Sequence, residues 1–157
     1  VSYMRGNKFI DYMSGYKDLK LADSYYTDFN KQKAMNATNE LLKTHNDLKF
    51  IYSGSTDIAL GVSEVLKKNN LTGKILTNGW GGGSNELDAI EKGLLDITVM
   101  RMNDDNGVAM AEAIKLDLEG KSNQVPTIFS GEFEVIEKGI NKQRLQKLKE
   151  KAFRYSK

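Results

Sequence analysis

Short apolar runs alternate with segments of helical periodicity along most of this chain, and that alternation limits the possible folds more than any other feature. The strand-like runs occupy residues 19–26, 48–53, 74–78 and 96–100, with two weaker ones at 127–130 and 132–136. Between them, apolar residues recur at the three- and four-residue spacing of a helix face. Strand alternating with helix is typical of parallel sheets, so we predict an α/β fold, a parallel sheet with helices on both faces.

The regular alternation begins with a helix and changes after about residue 100. The first periodic segment, residues 5–13, has helical spacing and no strand ahead of it. A parallel sheet that is entered through a helix lacks its first strand, so we expect this chain to be a truncated part of a larger fold. After residue 100 come a polar stretch at 103–107, another helical segment, the only proline, and a basic helix at the C-terminus.

Composition excludes several classes of chemistry. The 157 residues include no cysteine and one histidine, His45, so disulfide scaffolds, thiol catalysis and multi-histidine metal sites are excluded. A formal net charge of +2 does not indicate nucleic-acid binding. No apolar run approaches the roughly 20 residues that a membrane-spanning helix needs, so we expect a protein that is not embedded in a membrane.

The candidate binding residues follow the predicted strands. In open parallel α/β sheets, ligands bind beyond the carboxyl ends of the strands, which here are residues 53–57, 78–84 and 101–104. These segments provide hydroxyls, a carboxylate, an indole and a guanidinium, in Ser55, Thr56, Asp57, Trp80 and Arg101. Such groups suit recognition of a small polar molecule with a ring face.

Each candidate also has a purely structural explanation. Asp57 could be a helix first-turn charge beside a Ser55 or Thr56 cap, Trp80 could be a core residue, and Arg101 could form a surface ion pair. The glycine run at 79–84 matches neither the Walker A spacing nor the dinucleotide fingerprint. We expect it to form a turn that approaches a ligand without phosphate, ahead of a helix capped by Ser84. No nucleophile–base pair is evident, so we predict no catalytic residues and no metal site.

Several motifs occur in an order that resembles the C-terminal half of type I periplasmic sugar-binding proteins. They are Arg5-Gly6-x-x-Phe9, Ser-Thr-Asp-Ile-Ala-Leu-Gly at 55–61, Asn78-Gly79-Trp80 and Ile-Thr-Val at 97–99. The chain departs from the ribose-binding members in having Trp-Gly-Gly-Gly after Asn78 and in having Arg101. With Leu-Asp-Ile-Thr-Val-Met-Arg-Met-Asn-Asp-Asp at 95–105 and Ala-Phe-Arg-Tyr-Ser at 152–156, those departures resemble LuxP-type autoinducer-2 receptors of that family.

The resemblance implies a two-lobed periplasmic receptor that closes on its ligand, performs no chemistry and needs no cofactor. Its ligand would be a furanosyl borate diester, and its partner a membrane sensor kinase of the LuxQ type. Arg5 and Arg101 match arginines that flank the borate, Trp80 matches an indole hydrogen-bonded to the ligand, and Ser55, Thr56 and Asp57 match the hydroxyl-binding group. We expect residues 1–101 to form the ligand-binding lobe, 102–131 to cross into the missing N-terminal lobe, and 132–157 to form the return crossover and C-terminal helix.

Three alternatives remain at the sequence level. One is a sugar-binding protein for ribose- or galactose-type ligands that serves an ABC transporter. Another is the effector lobe of a LacI-type repressor, which requires a DNA-binding headpiece. An enzyme of flavodoxin-like form is the third, although the chain lacks a phosphate-binding loop.

Overall fold

The computed structural model describes residues 2–152, without the side chains of Ser2, Asn103 and Ala152. Arg154, Tyr155 and most of the motif at 152–156 therefore lie outside the described residues. The helices are α1 (Ser2–Met13), α2 (Lys31–Thr44), α3 (Thr56–Lys68), α4 (Ser84–Glu91), α5 (Asn103–Leu118) and α6 (Lys142–Ala152), with a 3-10 turn at Ser122–Gln124. The strands are β1 (Phe50–Ile51), β2 (Leu76–Gly81), β3 (Ile97–Arg101) and β4 (Phe133–Glu137).

The described strands form one four-stranded sheet in the order β1-β2-β3-β4. β1 and β2 are parallel, with Phe50 opposite Leu76 and Ile51 opposite Thr77. The predicted mixed α/β fold is therefore confirmed. No helix among the described residues has both the length and the apolar character required to cross a membrane.

Two predicted strands are wrong. Residues 19–26 and 127–130 contain the expected apolar residues, but neither segment is a strand. Apolar residues suit a sheet surface, whereas a strand exists only where its backbone pairs with a neighbour. Neither segment has such a neighbour in the described part of the chain, and Leu21 is 62% exposed.

The chain divides into two compact units, the first comprising Val1–Val99 with Ile136–Gly139. In this unit α3 packs on α2 and on β1 and β2. The core consists of the buried side chains of Ile51, Val62, Leu66 and Ile75, with the partly buried Leu42, Leu48, Ile58 and Leu71 around them. Ile58, Val62 and Leu66 of α3 recur at four-residue spacing and so share one face of the helix, which explains why the sequence predicts this helix well.

α2 and α3 approach each other closely at Gly61. A Cβ there would lie 2.8 Å from the backbone oxygen of Lys31 and 3.3 Å from the Cβ of Ala34. We therefore expect Gly61→Ala to lower the free energy of unfolding by about 1–2 kcal/mol, because overpacking outweighs the better helix propensity of alanine. Urea unfolding followed by circular dichroism measures the change.

Gly107 in α5 is the matched control, because a Cβ added there has no atom within 4 Å. Gly107→Ala should stabilise its helix by about 0.5–1 kcal/mol. Equal stability of the two alanine variants would contradict the close approach of α2 and α3.

The second unit comprises Met100–Val135 with Ile140–Lys157. Residues 103–107, which the sequence indicated as a polar stretch ahead of a helix, already belong to α5. One side of α5 leaves Met110, Ile114 and Leu118 exposed at four-residue spacing, with Leu118 at 82%. Asn141 caps the start of α6, because its side chain accepts hydrogen bonds from the backbone N–H groups of Gln143 and Arg144.

Candidate functional site

The site begins where β1 and β2 end side by side. The buried Asn78 in β2 accepts a hydrogen bond from Ser53 N at 2.8 Å and donates one to Ser53 O at 2.9 Å. Both backbone groups of Ser53 are therefore satisfied by one side chain beyond the last paired residue of β1. This double contact fixes the point along β2 at which the following residues, 54–57, leave the sheet.

The glycine-rich turn after β2 is organised by the carboxyl group of Glu86. Glu86 lies in the first turn of α4 and is fully buried. It accepts hydrogen bonds from Trp80 N at 3.1 Å and Gly82 N at 2.9 Å, and a short one from the Thr98 hydroxyl. A buried carboxyl with three donors stabilises the turn that a run of glycines would otherwise leave mobile.

The predicted cap of α4 is wrong. Gly83 is the N-cap and makes no side-chain hydrogen bond, and Ser84 is the exposed first residue of the helix. Glu86 instead accepts hydrogen bonds from backbone N–H groups at the end of β2 and in the turn that follows. Gly79 gives Glu86 the room to enter, because a Cβ at that position would lie 2.5 Å from Glu86 Oε2. Gly82 has a positive φ of +67°, a backbone conformation that glycine adopts without strain.

Trp80 lies within β2 and not in a loop, and it is half-buried among aromatic and cationic groups. Its Nε1 donates a hydrogen bond to the Tyr52 hydroxyl at 2.8 Å. The Phe9 ring stacks on Tyr52, with 4.1 Å between the centroids and 9° between the planes. The Arg5 guanidinium carbon lies 4.3 Å from the centroid of the Trp80 ring, which is cation–π distance.

Arg5 and the start of α3 meet at the end of β1. Arg5 Nη1 donates a hydrogen bond to Gly54 O at 3.0 Å. Thr56, the first residue of α3, donates from its hydroxyl to Trp80 O at 3.2 Å. The structure therefore brings Arg5, Thr56 and Trp80 together at one sheet edge.

The other two candidates at this edge differ in exposure. Ser55 is the N-cap of α3 but makes no side-chain cap, and its buried hydroxyl has no hydrogen-bond partner among the described residues. Asp57 lies in the first turn of α3 and is exposed. The edge thus contains a buried polar group without a protein partner beside the positive end of a helix.

α1 and the strand ends enclose an open groove of about 480 Å³. Its walls are apolar, apart from the cationic groups of α1 and the hydroxyls of two tyrosines. The lining residues are Met4, Arg5, Lys8, Phe9, Tyr12, Tyr52 and Trp80.

Comparison with known proteins assigns the chain to a family. The sequence profile of the periplasmic binding protein domain matches residues 2–153. The chain belongs to this family. It is 26% identical over 119 residues to the D-allose-binding periplasmic protein of Escherichia coli (strain K12), an alignment that covers 76% of this chain and 38% of that relative.

Solved structures show the same fold. An ABC transporter solute-binding protein from Agrobacterium vitis with bound α-D-tagatopyranose superposes with a TM-score of 0.83 at 18% identity, covering 93% of this chain and 49% of that one. A second A. vitis solute-binding protein, with bound D-fucose, gives 0.80 at 23% identity, covering 90% and 49%. The chain therefore spans half or less of the length of each of these relatives.

Arg101 is the remaining candidate of this periplasmic binding protein domain. It is the last residue of β3, as the sequence predicts, and it is exposed. It belongs to the second compact unit, whereas the other five candidates belong to the first. Its part in a common site stays a prediction.

Tyr52 and Glu86 also shape this edge of the domain, although the sequence did not predict them. Burial raises the pKa of Tyr52, against smaller lowering effects of the Trp80 N–H and the Arg5 charge, so its hydroxyl is neutral at physiological pH. Tyr52 directly follows β1, so its place in the sequence indicated that it lies at the edge where the strands end. Glu86 lies four residues before the buried Ile90 and therefore shares its face of α4. An acidic residue on the apolar face of a helix is the sequence feature that could have indicated its role.

Proposed function

We propose that this chain is the ligand-binding lobe of an extracytoplasmic solute-binding protein that binds a small cyclic polyol and catalyses no reaction. The observation that supports this most is the edge formed by the Arg5–Trp80 stack and the unpartnered Ser55 hydroxyl. The ligand would lie against Arg5, Ser55, Thr56, Asp57 and Trp80.

The chemistry of this edge suits a sugar-like ligand. A polyol hydroxyl both donates and accepts hydrogen bonds, so it can satisfy the Ser55 hydroxyl and also the Asp57 carboxylate. Arg5 adds donors, and the rim of the indole offers an apolar surface to ring C–H groups. The family supports this proposal, because the relatives and solved structures named above bind D-allose, α-D-tagatopyranose or D-fucose according to their names.

A more specific ligand is favoured by the guanidinium groups. A furanosyl borate diester, the boron-containing form of autoinducer-2, has a tetrahedral anionic centre that arginines can neutralise with charge-assisted hydrogen bonds. Arg5 is within the edge, and Arg101 ends the strand beside it in sheet order. With that ligand the protein would report to a membrane sensor kinase of the LuxQ type and not to an ABC transporter.

We further propose that the site is completed by a second lobe. The relatives are at least twice as long as the part that this chain matches. A ligand held between two lobes stabilises the closed state through contacts that exist only there. One lobe alone makes only part of those contacts, so its affinity should be low.

Calorimetric titration of the full-length gene product tests these proposals. D-allose, D-ribose and D-galactose, and autoinducer-2 precursor with and without borate, form the ligand panel. We expect one of them to bind with a micromolar or lower dissociation constant and the 157-residue chain alone to bind at least about 100-fold more weakly. Binding that depends on borate favours the receptor, whereas borate-independent sugar binding favours the transport protein.

Two results would contradict the proposal. Submicromolar binding by the 157-residue chain alone would refute the need for a second lobe. Failure of the full-length protein to bind any compound of the panel would refute the polyol site.

A further inference from the structure

We propose that Tyr52 is a positioning residue, which fixes the indole of Trp80 and, through the indole, the guanidinium of Arg5. The part that concerns ligand affinity rests on the proposed binding of a small polyol at this edge. Tyr52 itself is not placed among the ligand contacts. Its effect on the site passes through two neighbouring side chains.

The first step is the attachment of Tyr52 to its own surroundings. Its ring is stacked face to face on Phe9 of α1, and its backbone follows directly on β1. A ring held between a strand end and a helix has few alternative rotamers. The hydroxyl at the far end of the ring is therefore directed by packing.

The second step is the hydrogen bond to the indole. Trp80 Nε1 donates to the Tyr52 hydroxyl at 2.8 Å, which is good hydrogen-bond geometry for an N–H group and a phenol oxygen. An indole has one N–H donor and no acceptor. With that donor engaged, Trp80 offers a ring to its surroundings in this structure and not a hydrogen bond, unlike the role that the family resemblance implies.

The third step concerns Arg5, whose guanidinium group is held in place by the indole of Trp80. The Arg5 guanidinium lies over the indole at 4.3 Å while one of its nitrogens donates to Gly54 O. A planar group held from its face and from its edge keeps its remaining donors in a fixed direction. A cation fixed before binding loses less freedom when the ligand arrives, which raises affinity.

The chain has one tryptophan, and this allows a direct test. A ¹⁵N-labelled sample has a single indole N–H resonance, which must come from Trp80. In Tyr52→Phe the ring and its stacking on Phe9 remain and only the hydroxyl is lost. We expect the indole proton to shift upfield and its exchange with water to become about 2- to 12-fold faster, the change that loss of one ordinary hydrogen bond produces.

Tyr25→Phe is the matched control. It also removes one phenol hydroxyl, which is hydrogen-bonded to the Asp23 side chain, at an exposed position that does not line the groove. The indole resonance should not move in this variant. An indole resonance that is the same in wild type and Tyr52→Phe would overturn the positioning role, whatever the protein binds.

Ligand affinity is measured separately in the full-length protein, with D-allose and with autoinducer-2 precursor plus borate. We expect Tyr52→Phe to weaken binding of the compound that wild type binds by about 2- to 12-fold, and Tyr25→Phe to leave it unchanged. An indole shift without any loss of affinity would overturn the effect on the ligand. If wild type bound neither compound, the polyol proposal would fail, while the indole shift would still support the hold of Tyr52 on Trp80.

Discussion

Replacing Glu86 with alanine is expected to lower the free energy of unfolding by about 3–5 kcal/mol. The fully buried carboxyl accepts hydrogen bonds from Trp80 N, Gly82 N and the Thr98 hydroxyl. Its removal leaves these donors buried without a partner and opens a cavity below the glycine-rich turn. Buried unsatisfied donors cost roughly 1–3 kcal/mol each, so the combined loss is a large fraction of a domain's stability.

The measurement is the urea midpoint, with two further variants on α4. Asp88→Ala removes an exposed carboxylate from the same helix and should change stability by no more than about 0.5 kcal/mol. Glu86→Gln keeps one acceptor oxygen but turns an NH₂ group toward donors, so its loss should fall between the other two. A Glu86→Ala variant within 1 kcal/mol of wild type would show that the turn does not depend on this carboxyl.

The sequence was sufficient for the fold because local periodicity and strand order are linked in α/β proteins. The apolar spacing of α3 and the short runs at β1 to β4 are each visible in a window of about ten residues. Alternation of such segments leaves few arrangements other than a parallel sheet with helices on its faces. The strands nevertheless differ in extent from the predicted runs, since β1 is reduced to Phe50–Ile51 and β2 extends to Gly81.

Residues 19–26 show the limit of predicting strands from local sequence. Their composition favours a strand, but pairing is a property of two segments and cannot be derived from one. The same limit applies to the polar stretch at 103–107, which is helical although Asn, Asp and Gly are poor helix formers. In both cases tertiary context decides against local preference.

The sequence predicted which candidate residues share an edge of the sheet, but not their partners. The rule that ligands bind beyond strand ends grouped Ser55, Thr56 and Trp80, and the structure brings Thr56 and Trp80 into contact, although Trp80 lies within β2. Arg5 entered through family resemblance alone, because no spacing argument joins the first turn of α1 to the end of β1. Tyr52 and Glu86 were missed because their roles depend on side-chain partners that are distant in sequence or hidden in an apolar pattern.

The second large effect is expected from Arg5→Met, measured as ligand affinity in the full-length protein. If the ligand is an anionic borate diester, loss of one charge-assisted hydrogen bond should weaken binding by about 10- to 150-fold. If the ligand is a neutral sugar, the loss should be about 2- to 12-fold, the value of an ordinary hydrogen bond. Lys43→Met is the control, because it removes an equal charge at an exposed position of α2 that does not line the groove.

Charge and geometry at Arg5 can be separated with a second variant and a second residue. Arg5→Lys keeps the positive charge but loses the planar group that lies over Trp80, so partial recovery of borate-ester binding would attribute the effect to charge.

Arg101→Met applies the same test at the end of β3. If both arginines contact one anion, both methionine variants should weaken binding of the borate ester much more than binding of a neutral sugar. Equal losses for charged and neutral ligands would refute the electrostatic account, because a cation placed to neutralise borate has no comparable interaction with an uncharged ring.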